Sequence, residues 1–426
     1  MLGFLVNEGF SLAKTPAKAD LIVVNTCGFI ESASEESIDA ILEMAEVKAK
    51  GACKRLIVAG CLYQRYGDEL RGELPEVDAF LGCGELKKIG AVAHAVLAGK
   101  EAEMPKSPEI PKYIYNDRAP RGFLGGMTSV YVKIAEGCDN RCSYCTIPFL
   151  RGSYRSRSID SVAREVRGLL RQGAKEINLI AQDTTYFGFP ETGDEKLTYL
   201  LRKLGGIRGK KWLRLLYAHP ARITAAVARA IGDSDSVCHY LDMPVQHISD
   251  RILKAMGRRG RAGDIRKAID VLRNEVPDIA LRTTLMVGFP GETDKDFAML
   301  LDFVRDEQFD RLGVFRYSRE PETAAARLRK KVPEDVKEER YETLMREQAI
   351  ISNKLNHLLI GKRMEVLVEG KAENASNTFI GRTYRDAPEV DGYVRISGKR
   401  KGSPVGEFIQ VRITKAHDYD LEGEWL

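Results

Sequence analysis

The 426-residue sequence predicts an α/β protein: an amino-terminal parallel sheet, a partial parallel barrel of six βα units and a small carboxyl-terminal β-barrel. Three observations predict it. Apolar runs alternate with helical stretches over the first hundred residues, the pattern of strands buried on both faces. Six more such runs alternate with helices beyond residue 124. After residue 357 the pattern changes abruptly to short β-like runs separated by Gly, Asn, Asp and Pro.

In the first part, 1–104, Leu21 to Val24, Arg55 to Ala59 and Ala79 to Leu81 are strand candidates, with a helix from Ser34 to Lys50. Asn25-Thr26-Cys27-Gly28 and Gly60-Cys61 each follow a run, so both cysteines fall at carboxyl ends of strands, where such sheets place ligands. Residues 105–123 carry Pro105, Pro108, Pro111 and Pro120 and have linker composition. The second part, 124–356, offers strands at Val130 to Ile134, Glu176 to Ala181, Trp212 to Tyr217, His239 to Leu241, Ala280 to Val287 and Arg311 to Tyr317. Helices are expected at Ser161 to Gln172, Ala225 to Ile231, Gly263 to Asn274, Thr293 to Asp306 and Pro333 to His357. The last part, 357–425, contains the short runs Arg363 to Glu369, Thr378 to Thr383, Gly392 to Ile396 and Glu407 to Thr414.

With 44% apolar and 30% charged residues the chain is globular, and 66 Lys plus Arg against 61 Asp plus Glu excludes a polybasic DNA-coating protein. No segment approaches ~18 uninterrupted apolar residues and no signal-peptide pattern opens the chain, so a soluble cytoplasmic protein without membrane partners is expected. Charge is uneven: residues 1–100 net −3, residues 101–362 net +9 and residues 363–426 net −1. An anionic ligand is drawn to the middle.

Eight cysteines are too sparse for a disulfide scaffold in a chain this long. Three of them, Cys138, Cys142 and Cys145, form a C-x-x-x-C-x-x-C just after the first barrel strand. Three thiolates on one loop can bind three irons of a cubane cluster and leave the fourth open to a substrate. A structural zinc site needs four closed ligands, and no His lies between His94 and His219 to complete one locally. The competing reading is a zinc-stapled RNA-binding or ribosome-associated protein without catalysis, which would be colourless.

This spacing, the aromatic Tyr144 before the last cysteine and the place after a barrel strand resemble the radical S-adenosylmethionine (SAM) superfamily. The resemblance implies that Cys138, Cys142 and Cys145 hold a 4Fe-4S cluster whose free iron chelates SAM, with Tyr144 near the adenine. The longer run from Glu136 through Ile147-Pro148, Arg151-Gly152 and Ser156-Arg157 is similar to the methylthiotransferases. Their amino-terminal domain carries cysteines matched here by Cys27 and Cys61, and their carboxyl-terminal TRAM domain is a small β-barrel. Gln182-Asp183-Thr184-Thr185, Asp242 to His247 and Tyr384 to Gly392 resemble the branch that adds a methylthio group to the β-carbon of an aspartate in small-subunit ribosomal protein twelve. The alternative is the branch acting on a transfer-RNA adenosine, which usually reads Gln-Asn at Gln182-Asp183.

The resemblance further implies an electron donor, a sulfur source and a second 4Fe-4S cluster held by three amino-terminal cysteines, of which Cys27 and Cys61 match two. The third would lie on a first strand that this sequence lacks, and a truncated or misassigned start is the expected reason, because a missing strand leaves unpaired backbone groups. Otherwise Cys83 or Cys53 substitutes, Cys83 being better placed because it follows an apolar run, or both are ordinary thiols; Cys238 is read as a packing residue. A single-cluster relic that cleaves SAM without transferring sulfur is a further possibility. Gln182 and Gly288, at the ends of the second and fifth barrel strands, are placed at the SAM or substrate site, Gln182 alternatively as a supporting residue and Gly288 as part of a common turn. Arg258, Arg259 and Arg261 could bind an anionic partner or form solvated surface. Asp386, Glu389 and Asp391 favour a basic protein partner over phosphate, against a local basic patch at Lys399, Arg400 and Lys401.

Overall fold

A computed structural model describes residues 1–100, 108–123, 126–189, 196–372, 377–398 and 402–426. Part of the expected linker and all of the Lys399 to Lys401 patch lie outside the described residues. The chain divides into two compact units. The first is Met1–Gly125 with Glu136–Arg155 and Ser318–Arg327; the second is Gly126–Ala135, Ser156–Tyr317 and Leu328–Leu426. The three segments expected from sequence therefore distribute over two units.

In the first unit, strands β1 (Leu21–Thr26), β2 (Arg55–Gly60) and β3 (Ala79–Leu81) form a parallel sheet in that order. Its helices are α1 (Leu2–Asn7), α2 (Glu31–Lys50), α3 (Cys61–Tyr66), α4 (Asp68–Glu73), α5 (Ile89–Leu97) and α6 (Ile147–Arg151). Side chains alternate between the two faces of a strand. Ile22, Leu56, Val58 and Phe80 accordingly pack with Ile41 of α2, while Ile57, Ala59, Ala79 and Leu81 pack with Ile89, Val92 and Val96 of α5. Burial on both faces is why these strands read as unbroken apolar runs.

The second unit holds a six-stranded parallel sheet of β4 (Ser129–Lys133), β5 (Glu176–Ile180), β6 (Trp212–Leu215), β7 (Val237–Asp242), β8 (Ala280–Val287) and β9 (Arg311–Arg316), neighbours in sequence order. Helices α7 (Ile159–Arg171), α8 (Leu197–Gly205), α9 (Ala225–Gly232), α10 (Asp250–Ala255), α11 (Ala262–Glu275) and α12 (Asp294–Glu307) alternate with the strands, and α13 (Glu334–His357) follows them. A closed barrel completes the unit: β10 (Arg363–Lys371), β11 (Thr378–Arg382), β12 (Val394–Ser397), β13 (Phe408–Ala416) and β14 (Leu421–Trp425). Sequence reading missed β14, because a glycine at its centre, Gly423, interrupts the strand pattern. It also missed α10, whose six residues are too few to display a helical period.

Trp212, Leu216, Cys238, Tyr240 and Ala280 of the parallel sheet share a core with Leu367 and Ala387 of the carboxyl-terminal region. Cys238 is thus a packing residue, as expected. Buried ions line the same junction. Glu176 Oε1 accepts from Arg214 Nε at 2.8 Å and Glu176 Oε2 from Arg382 Nη2 at 2.5 Å. Asp386 pairs with Arg311, and Asp391 with Arg282 and the Tyr240 hydroxyl. This corrects the expectation of an acidic outward face: the Asp386 and Asp391 side chains are almost fully buried against arginines of the parallel sheet, and of the three acids only Glu389 is exposed.

Burial alone would raise the Glu176 pKa, but Arg214 and Arg382 outweigh it and hold the carboxyl at about 2, below its ordinary 4.5. A depressed carboxyl stabilises the fold above its unfolded pKa and loses that contribution as pH falls through the folded one. Glu176→Gln should therefore cost about 3–5 kcal/mol near neutral pH, by stranding two buried guanidiniums, and should flatten the loss of stability between pH 4.5 and 2. Urea denaturation across that range checks both.

Candidate functional site

The carboxyl edge of the first sheet carries three cysteines. Cys27 follows β1 directly, Cys61 follows β2 directly and opens α3, and Cys83 lies two residues beyond β3. The pairings Thr26↔Gly60 and Ala59↔Leu81 bring the three into register across neighbouring strands. Gly60 has φ +123°, and a Cβ there would meet Thr26 O at 2.5 Å, so only glycine lets β2 turn straight into α3 at this spacing. Ser37 of α2 clamps the exposed Cys27 through its backbone: Ser37 Oγ accepts from Cys27 N at 3.0 Å and donates to Cys27 O at 2.9 Å.

Cys61 and Cys83 are buried with Leu150, their sulfurs 3.7 Å apart. Arg151 Nη2 donates to Cys61 Sγ at 3.0 Å. The Cys83 thiol donated to Cys61 holds the latter's pKa at about 6; burial opposes this and Arg151 adds to it. The same shared proton, then burial, pushes Cys83 up.

The second cysteine group is built on a loop closed at its neck. Gly137 has φ +84°, and a Cβ there would meet Ser153 O at 2.2 Å, so the two ends of the loop approach as only glycine permits. Cys138 N donates to Gly152 O at 3.1 Å and Tyr154 N to Asp139 Oδ1 at 3.1 Å. Within the loop Arg141 takes φ +49° and Cys145 N donates to Cys142 O at 3.1 Å. Cys138, Cys142, Tyr144 and Cys145 are all partly exposed.

Contacts within the first unit bring the two groups together. α6 leaves the loop directly and delivers Leu150 and Arg151 to Cys61 and Cys83; Arg151 also lies 3.5 Å from Glu136 at the loop's start. Thr146 Oγ1 donates to Phe29 O at 3.2 Å, and Ala325 N donates to Ser143 O at 2.8 Å. Glu320, on the same segment as Ala325, accepts from Glu31 N at 3.1 Å and pairs with Arg65 at 2.7 Å. Sequence reading did not assign site roles to Leu150, Arg151, Ser37 or Glu320; of these only Arg151 stood within a quoted motif, and Glu320 meets partners more than 250 residues away. Among the described residues no three His, Cys, Asp or Glu side chains form a group able to hold a metal ion. The thiols of Cys138, Cys142 and Cys145, soft donors strung along one loop, suit the separate corners of a cluster rather than a single ion.

In the second unit, Gln182, His219 and Gly288 follow β5, β6 and β8, at the edge where parallel barrels bind ligands. Gln182 is half-buried. Its neighbour Asp183 accepts from Arg222 Nη1 at 2.5 Å and Thr185 N at 3.1 Å, so the residue that distinguished the two branches in sequence makes an internal ion pair. His219 Nδ1 accepts from Ala221 N at 3.2 Å; burial first, then Arg258, Arg222 and Arg259, push its pKa down to about 2 and keep the ring neutral. Gly288 N donates to Glu292 Oε2 at 2.9 Å, and Lys337 fills the space beside its Cα. Arg258 donates to Pro244 O, Arg259 is exposed and Arg261 caps α11.

Comparison with known proteins follows these parts. Family models match at residues 1–82 (Uncharacterized protein family UPF0004), 132–304 (Radical SAM superfamily) and 360–426 (TRAM domain). Ribosomal protein uS12 methylthiotransferase RimO of Geotalea uraniireducens is 46% identical over 426 residues, all of this chain and 94% of that protein. The protein of the same name from Geobacter sulfurreducens is 47% identical over 424 residues, again 94% of its length. Among solved structures, the radical S-adenosylmethionine methyltransferase TsrM of Kitasatospora setae, with cobalamin and a [4Fe-4S] cluster bound, has a TM-score of 0.55 at 17% identity, over 73% of this chain and 67% of that one. That likeness is one of fold.

In metal-free protein, Cys61 should react with an alkylating agent at a lower pH than an ordinary thiol. Cys83→Ala should raise the pH at which it reacts, because the donated thiol hydrogen bond is gone. Peptide mass spectrometry across the pH series reads it.

Proposed function

Because the chain belongs to the radical-SAM methylthiotransferases that modify ribosomal protein uS12, we propose that it adds a methylthio group to the β-carbon of an aspartate in that protein. The observation that carries this reading is the union of two cysteine groups in one compact unit through α6. Cys138, Cys142 and Cys145 hold a 4Fe-4S cluster with one iron left for SAM, and Tyr144, Gln182 and Gly288 contribute to the SAM site. Cys27 and Cys61 belong to a second cluster. When bound, these groups supply the radical and the sulfur that replacement of an unactivated C–H bond requires, which acid and base side chains cannot provide.

The chain's own residues set the geometry. Gly137 and Gly152 close the neck of the loop, so the three thiols project from a fixed base. The Cys83 thiol first, and then Arg151, lower the Cys61 pKa against its burial, and Leu150 packs over the pair. Ser37 fixes the Cys27 backbone. His219, neutral, presents an N–H at Nε2 without adding charge at the mouth of the parallel sheet. No helix of the described residues is long and apolar enough to cross a membrane. A ribosomal substrate places the work in the cytoplasm, with an external electron donor and sulfur source as further partners.

Anaerobically reconstituted protein given SAM, a reductant, sulfide and uS12 should raise the mass of uS12 by one methylthio group in place of hydrogen, localised to an aspartate by fragmentation. Any single Ala substitution at Cys138, Cys142 or Cys145 should abolish it. Modification of transfer RNA with uS12 untouched would overturn the assignment.

A further inference from the structure

Among the described residues, Tyr217 is the one aromatic residue whose backbone enters the left-handed region, at φ +60°. That conformation is strained for any residue with a Cβ and persists only where the surroundings hold it. Tyr217 lies two residues beyond β6, directly before Ala218 and His219, and its side chain is about half exposed. Strain kept at the carboxyl edge of a parallel barrel, where ligands gather, marks a residue placed for function.

The surroundings that hold it are specific. Thr184 N at 3.0 Å and Thr184 Oγ1 at 3.3 Å both donate to Tyr217 O. Tyr217 N donates to Asp242 Oδ2 at 3.2 Å and Ala218 N to Asp242 O at 2.8 Å, so Asp242 grips the amides on both sides of the strained residue. The other oxygen of the buried Asp242 carboxylate, Oδ1, accepts from Arg282 Nη1 at 2.9 Å. Strand register sets these two side by side, Asp242 ending β7 and Arg282 opposite it on β8.

Arg282 turns its Nε to a second carboxylate, Asp391 Oδ1, at 3.2 Å. Asp391 Oδ2 in turn accepts from the Tyr240 hydroxyl at 2.7 Å and from Ala387 N at 2.9 Å. One rigid fork therefore joins an acid beside Tyr217 to an acid contributed by the segment before β12 of the carboxyl-terminal barrel. Neutralising the second acid leaves a buried guanidinium unbalanced and alters its hold on the first. Asp386 offers the contrast. It pairs with Arg311 at the same junction, but Arg311 otherwise meets Asp310 O, Asn356 Oδ1 and Tyr419 O, none of them at the carboxyl edge of the parallel sheet.

We infer that Asp391 is a positioning residue for the reaction, acting through Arg282 and Asp242 on the backbone of Tyr217; the inference rests on the methylthiotransferase reading for the reaction, though not for the chain of hydrogen bonds. The carboxyl-terminal barrel thereby shapes the reacting edge from the far side of the parallel sheet. The test compares the reconstituted full chain with its Asp391→Asn and Asp386→Asn variants, by hydrogen exchange resolved to the Tyr217 amide and by initial rates of uS12 modification. Asp391→Asn should speed exchange at Tyr217 about tenfold and lower kcat about tenfold, with KM for uS12 within about twofold of native. Asp386→Asn, which breaks a buried pair of the same kind, should lower the unfolding midpoint and leave Tyr217 exchange and kcat as they are. Tyr217→Gly, which releases the strain and removes the ring, should lower kcat to a similar degree, and adding Asp391→Asn to it should lower kcat no further. If Asp391→Asn does not fold, Arg282→Lys reads the same chain, because an ammonium keeps the charge without the fork that spans both acids; faster Tyr217 exchange and lower kcat are again expected. The inference is overturned if Tyr217 exchange is unchanged, if KM rises with kcat intact, if Asp386→Asn lowers kcat equally, or if the two losses multiply in the double variant. A native chain that leaves uS12 unmodified would instead strike the methylthiotransferase reading, and unchanged exchange at Tyr217 would still overturn this one.

Discussion

The contact between Arg151 and Cys61 is the constraint on which the site depends. One guanidinium reaches a sulfur on the sheet edge at 3.0 Å and a carboxylate at the head of the cysteine loop at 3.5 Å. It therefore ties the exit of the loop through α6 to its entry at Glu136, and adds to the lowering of the Cys61 pKa that the Cys83 thiol leads. A hydrogen bond to a charged group contributes roughly 1.5–3 kcal/mol. Leu150, apolar and buried, packs over the Cys61 and Cys83 pair beside it.

Around that contact, backbone geometry supplies what side chains cannot. A parallel sheet delivers residues of equal register to one edge, so cysteines placed 34 and 22 residues apart in sequence arrive side by side. The loop uses the opposite device, local sequence spacing, to project its thiols from a neck only glycine can form. The segment around Glu320 and Ala325 then braces both, binding α2 at Glu31, α3 at Arg65 and the loop at Ser143.

Much of this was legible in the sequence. Strands buried on both faces announce themselves as apolar runs, and β1, β2 and β3 stand within two residues of where those runs placed them. The C-x-x-x-C-x-x-C loop was legible because its meaning is local. The burial of Asp386 and Asp391 was not, because a count of charges cannot distinguish a carboxylate facing water from one facing Arg311 or Arg282. Nor could sequence show Lys337 packed against Gly288, or Gln64 holding Cys83, since each is a meeting of distant segments. Cys83 already read as better placed than Cys53, because it follows an apolar run, and the strands set the two at opposite ends of the sheet.

Under the proposed function, the residues for radical generation and for sulfur delivery lie in one compact unit. Dipolar coupling between two reduced clusters measures this most directly, by EPR of the reconstituted native chain. The expected spectrum is coupled and becomes a simple single-cluster signal when either Cys138, Cys142 and Cys145 or Cys27 and Cys61 are replaced by Ala. A native spectrum equal to the sum of those two variant spectra would contradict it.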